Sequence, residues 1–267
     1  AIAAFLDRET AKIDALIEKK KQLQDRLREK RATETFELVT KGIRPVQSFR
    51  NSRVEWIGNI SQHWSRARLL HVCRLETGHT PSRDREEYWQ NCTIPWVTLA
   101  DVHQLRSGRQ EYINGTSEKI SELGLAHSAA RLLPKNTVIL SRTASVGFAG
   151  IIPEPMATSQ DFVNWICGPL VEPRYLVRCL WAMKDEFRRL TMGSTHQTIY
   201  MPDVKGLTIP LPPVEEQNEI VAESEKRTGW IARLNDKLSD QISHLREYRT
   251  ALISAAVTGQ IDVRDWV

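Results

Sequence analysis

REKRATETFELVTKGI, residues 28–43, returns near the other end of the chain as REYRTALISAAVTGQI, residues 246–261, at an offset of 218 residues with no gap. Leucines at matching positions would follow from shared coiled-coil composition alone. Arg28/Arg246, Glu29/Glu247, Arg31/Arg249, Val39/Val257 and Thr40/Thr258 are identical as well, so the chain makes one helix end twice. Around the first copy, Leu6, Ile13, Leu16, Leu23 and Leu27 follow a three-and-four spacing that Lys20 interrupts. The same frame moved along gives Ile231, Leu234, Leu238, Leu245, Tyr248 and Leu252. That spacing predicts the seam of a coiled coil. A helix of about 30 residues is roughly 45 Å long, and its apolar stripe is too narrow to form a core alone. Each copy needs a partner helix, and the nearest one available is the other copy.

Between the copies the pattern changes. Residues 48–213 hold most of the Trp, Gly and Pro, with short apolar or β-branched runs at IPWVTL (94–99), NTVIL (136–140), FVNWIC (162–167) and GLTIPL (206–211), separated by turn residues. PRYLVRCLWAMKDEFRRL, residues 173–190, predicts a helix, because Leu176, Leu180, Met183 and Phe187 recur at helical spacing after a starting proline. The expected class is an α/β (α+β) globular domain at 48–213, clasped by long helices at 1–47 and 214–267.

Charge adds one constraint. The 267 residues carry a formal +4, with 11 Lys+Arg against 8 Asp+Glu in 1–47, 19 against 15 in 48–213 and 7 against 10 in 214–267. The basic excess therefore lies outside the C-terminal segment. No run approaches the roughly 18 apolar residues of a membrane span, so a cytoplasmic protein is expected. Cys73, Cys92, Cys167 and Cys179 are far apart and form no CxxC pair, which reads as ordinary buried or half-buried thiols and no metal. His71 and Cys73 would share a strand face, but two ligands do not make a metal site. There is no GxGxxG, GxxxxGK[ST], [DN]PP[FY], HExxH or GxSxG, so no catalytic site is visible.

What remains is a set of loops rich in hydroxyl, amide and Arg side chains: TGHTPSRDREEYW from 77, DVHQLRSGR from 101, SRTASVG from 141 and GSTHQT from 193. Arg can contact guanine with two hydrogen bonds and Gln adenine likewise, while Ser, Thr and backbone amides suit phosphate. The alternative for each loop is a solvated surface with no ligand.

The ordered series of motifs resembles the specificity subunit of Type I restriction-modification enzymes over nearly the whole chain. AFLDRETAKIDALIEKKKQL resembles the start of the helix that follows a target recognition domain in that family. RVEWIGNISQHW resembles the lead into the next domain, and TGHTPSR its GxTP turn. LLPKNTVILSRTASVG and TSQDFVNWIC are similar to its central strands and loop, and GSTHQTIYMPDVKGLTIPLPPVEEQNEIV to its exit into the second helix. The resemblance implies two long helices forming an antiparallel coiled coil, with recognition domains that each read half of a split double-stranded DNA site. It implies no catalysis in this chain. Modification subunits, docked on the helices, would supply S-adenosylmethionine and methylation, and through them the restriction/translocase subunit would join.

Under that resemblance the DNA-facing candidates are Thr80, Ser82 and Arg83, with Pro81 stiffening the turn; Gln104, Arg106 and Arg109; Arg142, Thr143 and Ser145 before Gly147; and Thr195, His196 and Gln197. Arg28, Glu29, Arg246 and Glu247 are the candidates for docking the modification subunit. Trp56, Trp64, Trp89, Trp96, Trp165 and Trp181 are read as core. The family order is domain, helix, domain, helix, whereas this chain has helix, domain, helix and no initiator Met. The expectation is the second half of a longer subunit. The alternatives are a natural half-subunit that forms a homodimer on a palindromic split site, the recognition segment of a single-chain restriction-methylation enzyme, and a protein-binding scaffold.

Overall fold

The computed structural model describes residues 1–43, 48–192 and 197–263. It forms two compact units, residues 1–33 with 226–267, and residues 34–225. Helices α1 (Ile2–Lys41) and α7 (Val214–Val257) contribute to both. Among the described residues no helix is long and apolar enough to cross a membrane.

In the first unit, Leu27 clusters with Ile231 and Leu238, Ile13 and Ile17 with Ile242, and Phe5 with Ala256 and Val263. Between these apolar layers lie polar ones: Asp14 bonds Arg249 at 2.9 Å, Lys20 bonds Gln241 at 2.7 Å, and Gln24 donates to Ser239 Oγ at 3.0 Å. Partner numbers fall along α7 as they rise along α1. The buried face of α1 runs through Ile13, Ile17, Lys20, Gln24 and Leu27, a regular four-three alternation. The expected frame was displaced by one residue at two places, since Leu16 and Leu23 are 42% and 41% exposed, and Tyr248 is 58% exposed. Lys20 is no interruption of the seam. It and Gln24 occupy seam positions because amide and hydroxyl partners across the pair satisfy their donors.

The second unit is built on a four-stranded sheet in the order β4 (Cys73–Thr77), β10 (Phe162–Cys167), β7 (Val138–Ser141), β8 (Ala149–Ile151), all neighbours antiparallel. The stretch FVNWIC becomes the inner strand β10, and Phe162, Val163 and Trp165 are fully buried. A smaller sheet sets β5 (Ile94–Val97) between β6 (Glu118–Ile120) and the short β9 (Ala157–Thr158). Two-stranded ribbons pair β1 (Phe49–Asn51) with β2 (Asn59–Ser61), and β3 (Ser65–Arg68) with β11 (Thr208–Leu211). The helix expected at 173–190 is two helices, α4 (Pro173–Ala182) and α5 (Lys184–Leu190), with Met183 capping the first through bonds to Cys179 and Leu180 carbonyls. His71 lies in the one-turn helix α2 (Leu69–Val72) and is exposed, so the expected strand face shared with Cys73 does not form; the unit also holds the short helices α3 (Glu122–Ala126) and α6 (Met201–Gly206).

Buried polar bonds fix the helix ends to this domain. The Tyr175 hydroxyl, fully buried, reaches the carbonyls of Val39 and Pro210 at 3.4 and 3.1 Å. Gln217 is also fully buried; it accepts from Glu172 N and donates to the carbonyls of Leu170 and Pro212, each at 2.9 Å. Glu111 receives both Arg174, at 2.6 Å, and Arg178, and Arg174 also reaches Glu225. The satisfied groups among these position elements at little net cost, whereas one left unpaired, as Arg178 Nε is, costs about 1–3 kcal/mol.

Candidate nucleic-acid interface

The register of the large sheet decides where its loops go. Val163 faces Thr77, Phe162 faces Ser141 and Leu140 faces Ala149. The end of β4, the start of β10, the end of β7 and the start of β8 therefore share one edge. From that edge project the loops 78–85, 159–161 and 142–148.

Side-chain and backbone bonds join them. Gly78 makes the first junction: a Cβ there would lie 2.0 Å from the Ser159 carbonyl oxygen and 2.5 Å from that of Thr158. Glycine is required by this close approach of two backbones. His79 N then donates to the Thr158 carbonyl at 2.9 Å, and the Thr80 hydroxyl donates to Gln160 Oε1. Across the sheet, Arg142 N donates to the Asp161 carbonyl at 2.7 Å and the Thr143 hydroxyl to the Asp161 carboxylate. Ala144 has φ +54° and donates its amide to the Gln197 carbonyl at 2.9 Å, while Thr143 bridges Thr198. Gly147, at φ +90°, turns the chain beside Phe187.

Thr80, Arg142, Thr143, Ser145 and Gln197 are thus brought together. Sequence reasoning did not select Gln160 and Asp161, which tie these loops to one another. The signal available was the Ser-Gln-Asp turn between two apolar strands, in which Ser159 Oγ bonds Asp161 at 3.1 Å.

The other candidates fall into distinct settings. The Arg83 guanidinium stacks 3.8 Å from the Trp89 ring centroid and pairs with Glu118 at 2.8 Å. Ser82 is exposed, and its carbonyl accepts from Trp89 Nε1 at 3.0 Å. Arg106 lies 5.7 Å from the Phe148 ring, against the 142–148 loop, and Arg109 is exposed. Gln104 is bonded within its own loop region. Its Oε1 accepts from Gln110 at 3.0 Å and from Asn114 N at 2.8 Å, and its Nε2 donates to the Gly115 carbonyl at 3.2 Å, so the amide holds the 105–114 loop. The fully buried Asp101 anchors the same loop through Thr98 N at 2.9 Å and Ser117 N at 2.7 Å. Thr195 and His196 lie outside the described residues. Arg28, Glu29, Arg246 and Glu247 are all on exposed helix surface, Arg28 paired with Asp25 at 2.7 Å.

The edge presents hydroxyls, amides and guanidiniums on a rigid sheet, a set that can hydrogen-bond base edges and phosphates. Ser61, His63 and Glu216 form a hydrogen-bonded chain, with 2.8 Å from Ser61 Oγ to His63 Nδ1 and 2.9 Å from Nε2 to Glu216. Ser61 is fully buried, so this chain braces the first turn of α7 and offers no nucleophile. No group of three His, Cys, Asp or Glu among the described residues is placed to hold a metal.

A family model described as the Type I restriction modification DNA specificity domain matches residues 62–242. The Type I restriction enzyme MjaIX specificity subunit of Methanocaldococcus jannaschii is 30% identical over 166 residues, covering 61% of this chain and 38% of that protein. The EcoprrI specificity subunit of Escherichia coli is 27% identical over 179 residues, covering 64% and 41%. Among solved structures, the HsdS subunit from Thermoanaerobacter tengcongensis has TM-score 0.59 at 20% identity, covering 96% of this chain and 58% of that one. A chain described with complex assembly and conformational transition of the type I R-M system also gives 0.59, at 21% identity over 94% and 58%. These two likenesses show a shared fold, and the chain spans about two fifths of the curated relatives it matches.

Proposed function

Because the chain belongs to the Type I restriction-modification DNA specificity family, we propose that residues 48–213 bind double-stranded DNA sequence-specifically through the loops at the 77/141/162 sheet edge. The observation that carries this reading is the convergence of Thr80, Gln160, Arg142, Thr143 and Ser145 at one edge, joined by hydrogen bonds among their loops. Arg106, Arg109 and Arg142 supply phosphate contacts or guanine readout. The chain itself is non-catalytic. Methylation, with its S-adenosylmethionine, belongs to a modification subunit docked on the exposed helix residues Arg28, Glu29, Arg246 and Glu247, and the restriction/translocase subunit joins through that partner.

The helices act in this reading as an antiparallel coiled-coil spacer between two halves of a split target. Their cross-pairing supports it, and so does the repeat. Val39 is fully buried and a Cβ at Gly42, φ +81°, would meet Trp64 at 2.9 Å. The copy of Val39, Val257, is 65% exposed, so the same helix end recurs there without that cover. A second recognition domain fits that seat, supplied by a longer subunit or by a second copy of the chain in a homodimer.

The test is selection from a randomised duplex pool at physiological salt, with and without a modification subunit. One short motif per bound duplex is the expected result; two inverted copies at fixed spacing would favour the homodimer. No enrichment under either condition would remove the DNA reading and favour a protein-binding scaffold.

A further inference from the structure

We propose that Cys73 and Cys167 are a thiol–disulfide exchange site, closing a reversible disulfide between β4 and β10 at the expense of a low-molecular-weight disulfide. The argument rests on register. The two cysteines are direct partners across the β4/β10 pair. Gly168 N donates to the Val72 carbonyl at 3.0 Å, and Gly78 N to that of Phe162 at 3.4 Å. Residues 72 and 78 therefore sit in hydrogen-bonded pairs, and by alternation 73, 75 and 77 sit in the non-hydrogen-bonded ones. At such pairs Cα atoms are about 4.5 Å apart and side chains are closest, within the separation of about 4.4–6.8 Å that a disulfide spans. No backbone rearrangement is needed to bring the sulfurs together.

Exposure sets the order of attack. Cys167 is half-buried and is the more accessible thiol, while Cys73 is buried. The interaction between the two thiols holds Cys73 below its ordinary value and raises Cys167. Cys179, by contrast, is buried and pushed up to about 12 by that burial, and stays a thiol. In the exchange, Cys167 passes its proton to the Cys73 thiolate and attacks one sulfur of the small disulfide, expelling a thiolate. Cys73, deprotonated again, attacks the Cys167 sulfur of the mixed disulfide and expels the second thiolate. Two protein thiols are oxidised to one disulfide, one small disulfide is reduced to two thiols, and the two protons end on those thiols.

The bond would tie the roots of the strands that carry the 78–85 and 159–161 loops, and it is independent of what those loops bind. The experiment incubates the whole chain in graded ratios of oxidised to reduced glutathione, alkylates the remaining thiols and maps peptides without reduction. The expected result is one linked peptide pair, 73 with 167, loss of two thiols, and Cys92 and Cys179 alkylated throughout, all reversed by excess reduced glutathione. Cys73→Ser should trap glutathione on Cys167. Four alkylated cysteines at every ratio, or links that involve Cys92 as often as Cys73, would overturn the proposal.

Discussion

Replacing Gly78 by alanine tests the geometry of the 77/141/162 sheet edge at its tightest point. The added Cβ would lie 2.0 Å from the Ser159 carbonyl oxygen, 2.4 Å from Thr158 Oγ1 and 2.5 Å from the Thr158 carbonyl oxygen. Two of the three are backbone atoms, and Thr158 is buried, so no flexible side chain can swing aside. Relief requires the end of β4 to separate from residues 158–159 by roughly an ångström, which breaks the His79 N bond to Thr158 and displaces Thr80 from Gln160. Overpacking costs about 1–3 kcal/mol and a lost hydrogen bond about 1 kcal/mol more, giving about 3 kcal/mol. At about 2–4 °C per kcal/mol for a domain of this size, Tm should fall by roughly 6–12 °C. Duplex binding should weaken even at temperatures where the variant is folded. Thermal unfolding by circular dichroism, with binding to the selected duplex measured on the same preparation, checks both. A variant that melts like the parent and binds like it would refute the close-approach argument.

The helix frame is tested by pairs of substitutions: Ile17→Ala and Leu27→Ala should each cost about 2–5 kcal/mol, and Leu16→Ala and Leu23→Ala under about 1 kcal/mol, in urea titrations. Equal losses would restore the frame with Leu16 and Leu23 in the seam. Arg106→Ala and Arg142→Ala should each lower the slope of log K against log salt by about 1, whereas Gln160→Ala should keep the slope and relax sequence preference in the duplex selection; unchanged slopes in both Arg variants would place those side chains off the phosphates. Burial raises the Glu111 carboxyl, but the Arg174 and Arg178 guanidiniums outweigh it and hold it below the usual carboxylate range. With the folded value below the unfolded one, this stabilisation is present at neutral pH and lost as pH falls through the folded value. Glu111→Gln should therefore lower Tm at pH 7 and show a shallower acid decline, and a Tm difference constant from pH 7 to strongly acid solution would contradict it.

Parts of this architecture were legible because they depend on short-range pattern. FVNWIC is a buried strand because its apolar side chains fall on both faces, with Asn164 bonded to Thr158 Oγ1 at 3.0 Å, and it forms β10 as read. The long helices were legible, but the frame of their buried face was not. Lys20 and Gln24 carry no apolar signal, and their places on the buried face follow from Gln241 and Ser239 more than 200 residues away. The same holds for Gln104, whose inward turn depends on Gly115 and Asn114, and for Gln160, which matters only because β10 runs beside β4. Cys73 and Cys167 are separated by a stretch that hides their register entirely. Loops rich in Arg and hydroxyls announce a surface, but which of them meet is settled by strand order.

Ala144 gives the recognition edge a mechanical character. An alanine in the left-handed region costs about 1–2 kcal/mol, and here the state is fixed by the amide bond to Gln197 and the flanking Thr143 contacts. A loop locked in this way is a stiff template, so in the DNA-binding reading it is the duplex that must adapt. Stiff templates select sequences by how readily base steps bend and twist, and they extend discrimination to positions no side chain touches. Calorimetry on such a surface should give a heat-capacity change set by contact area alone, with no component from loop folding.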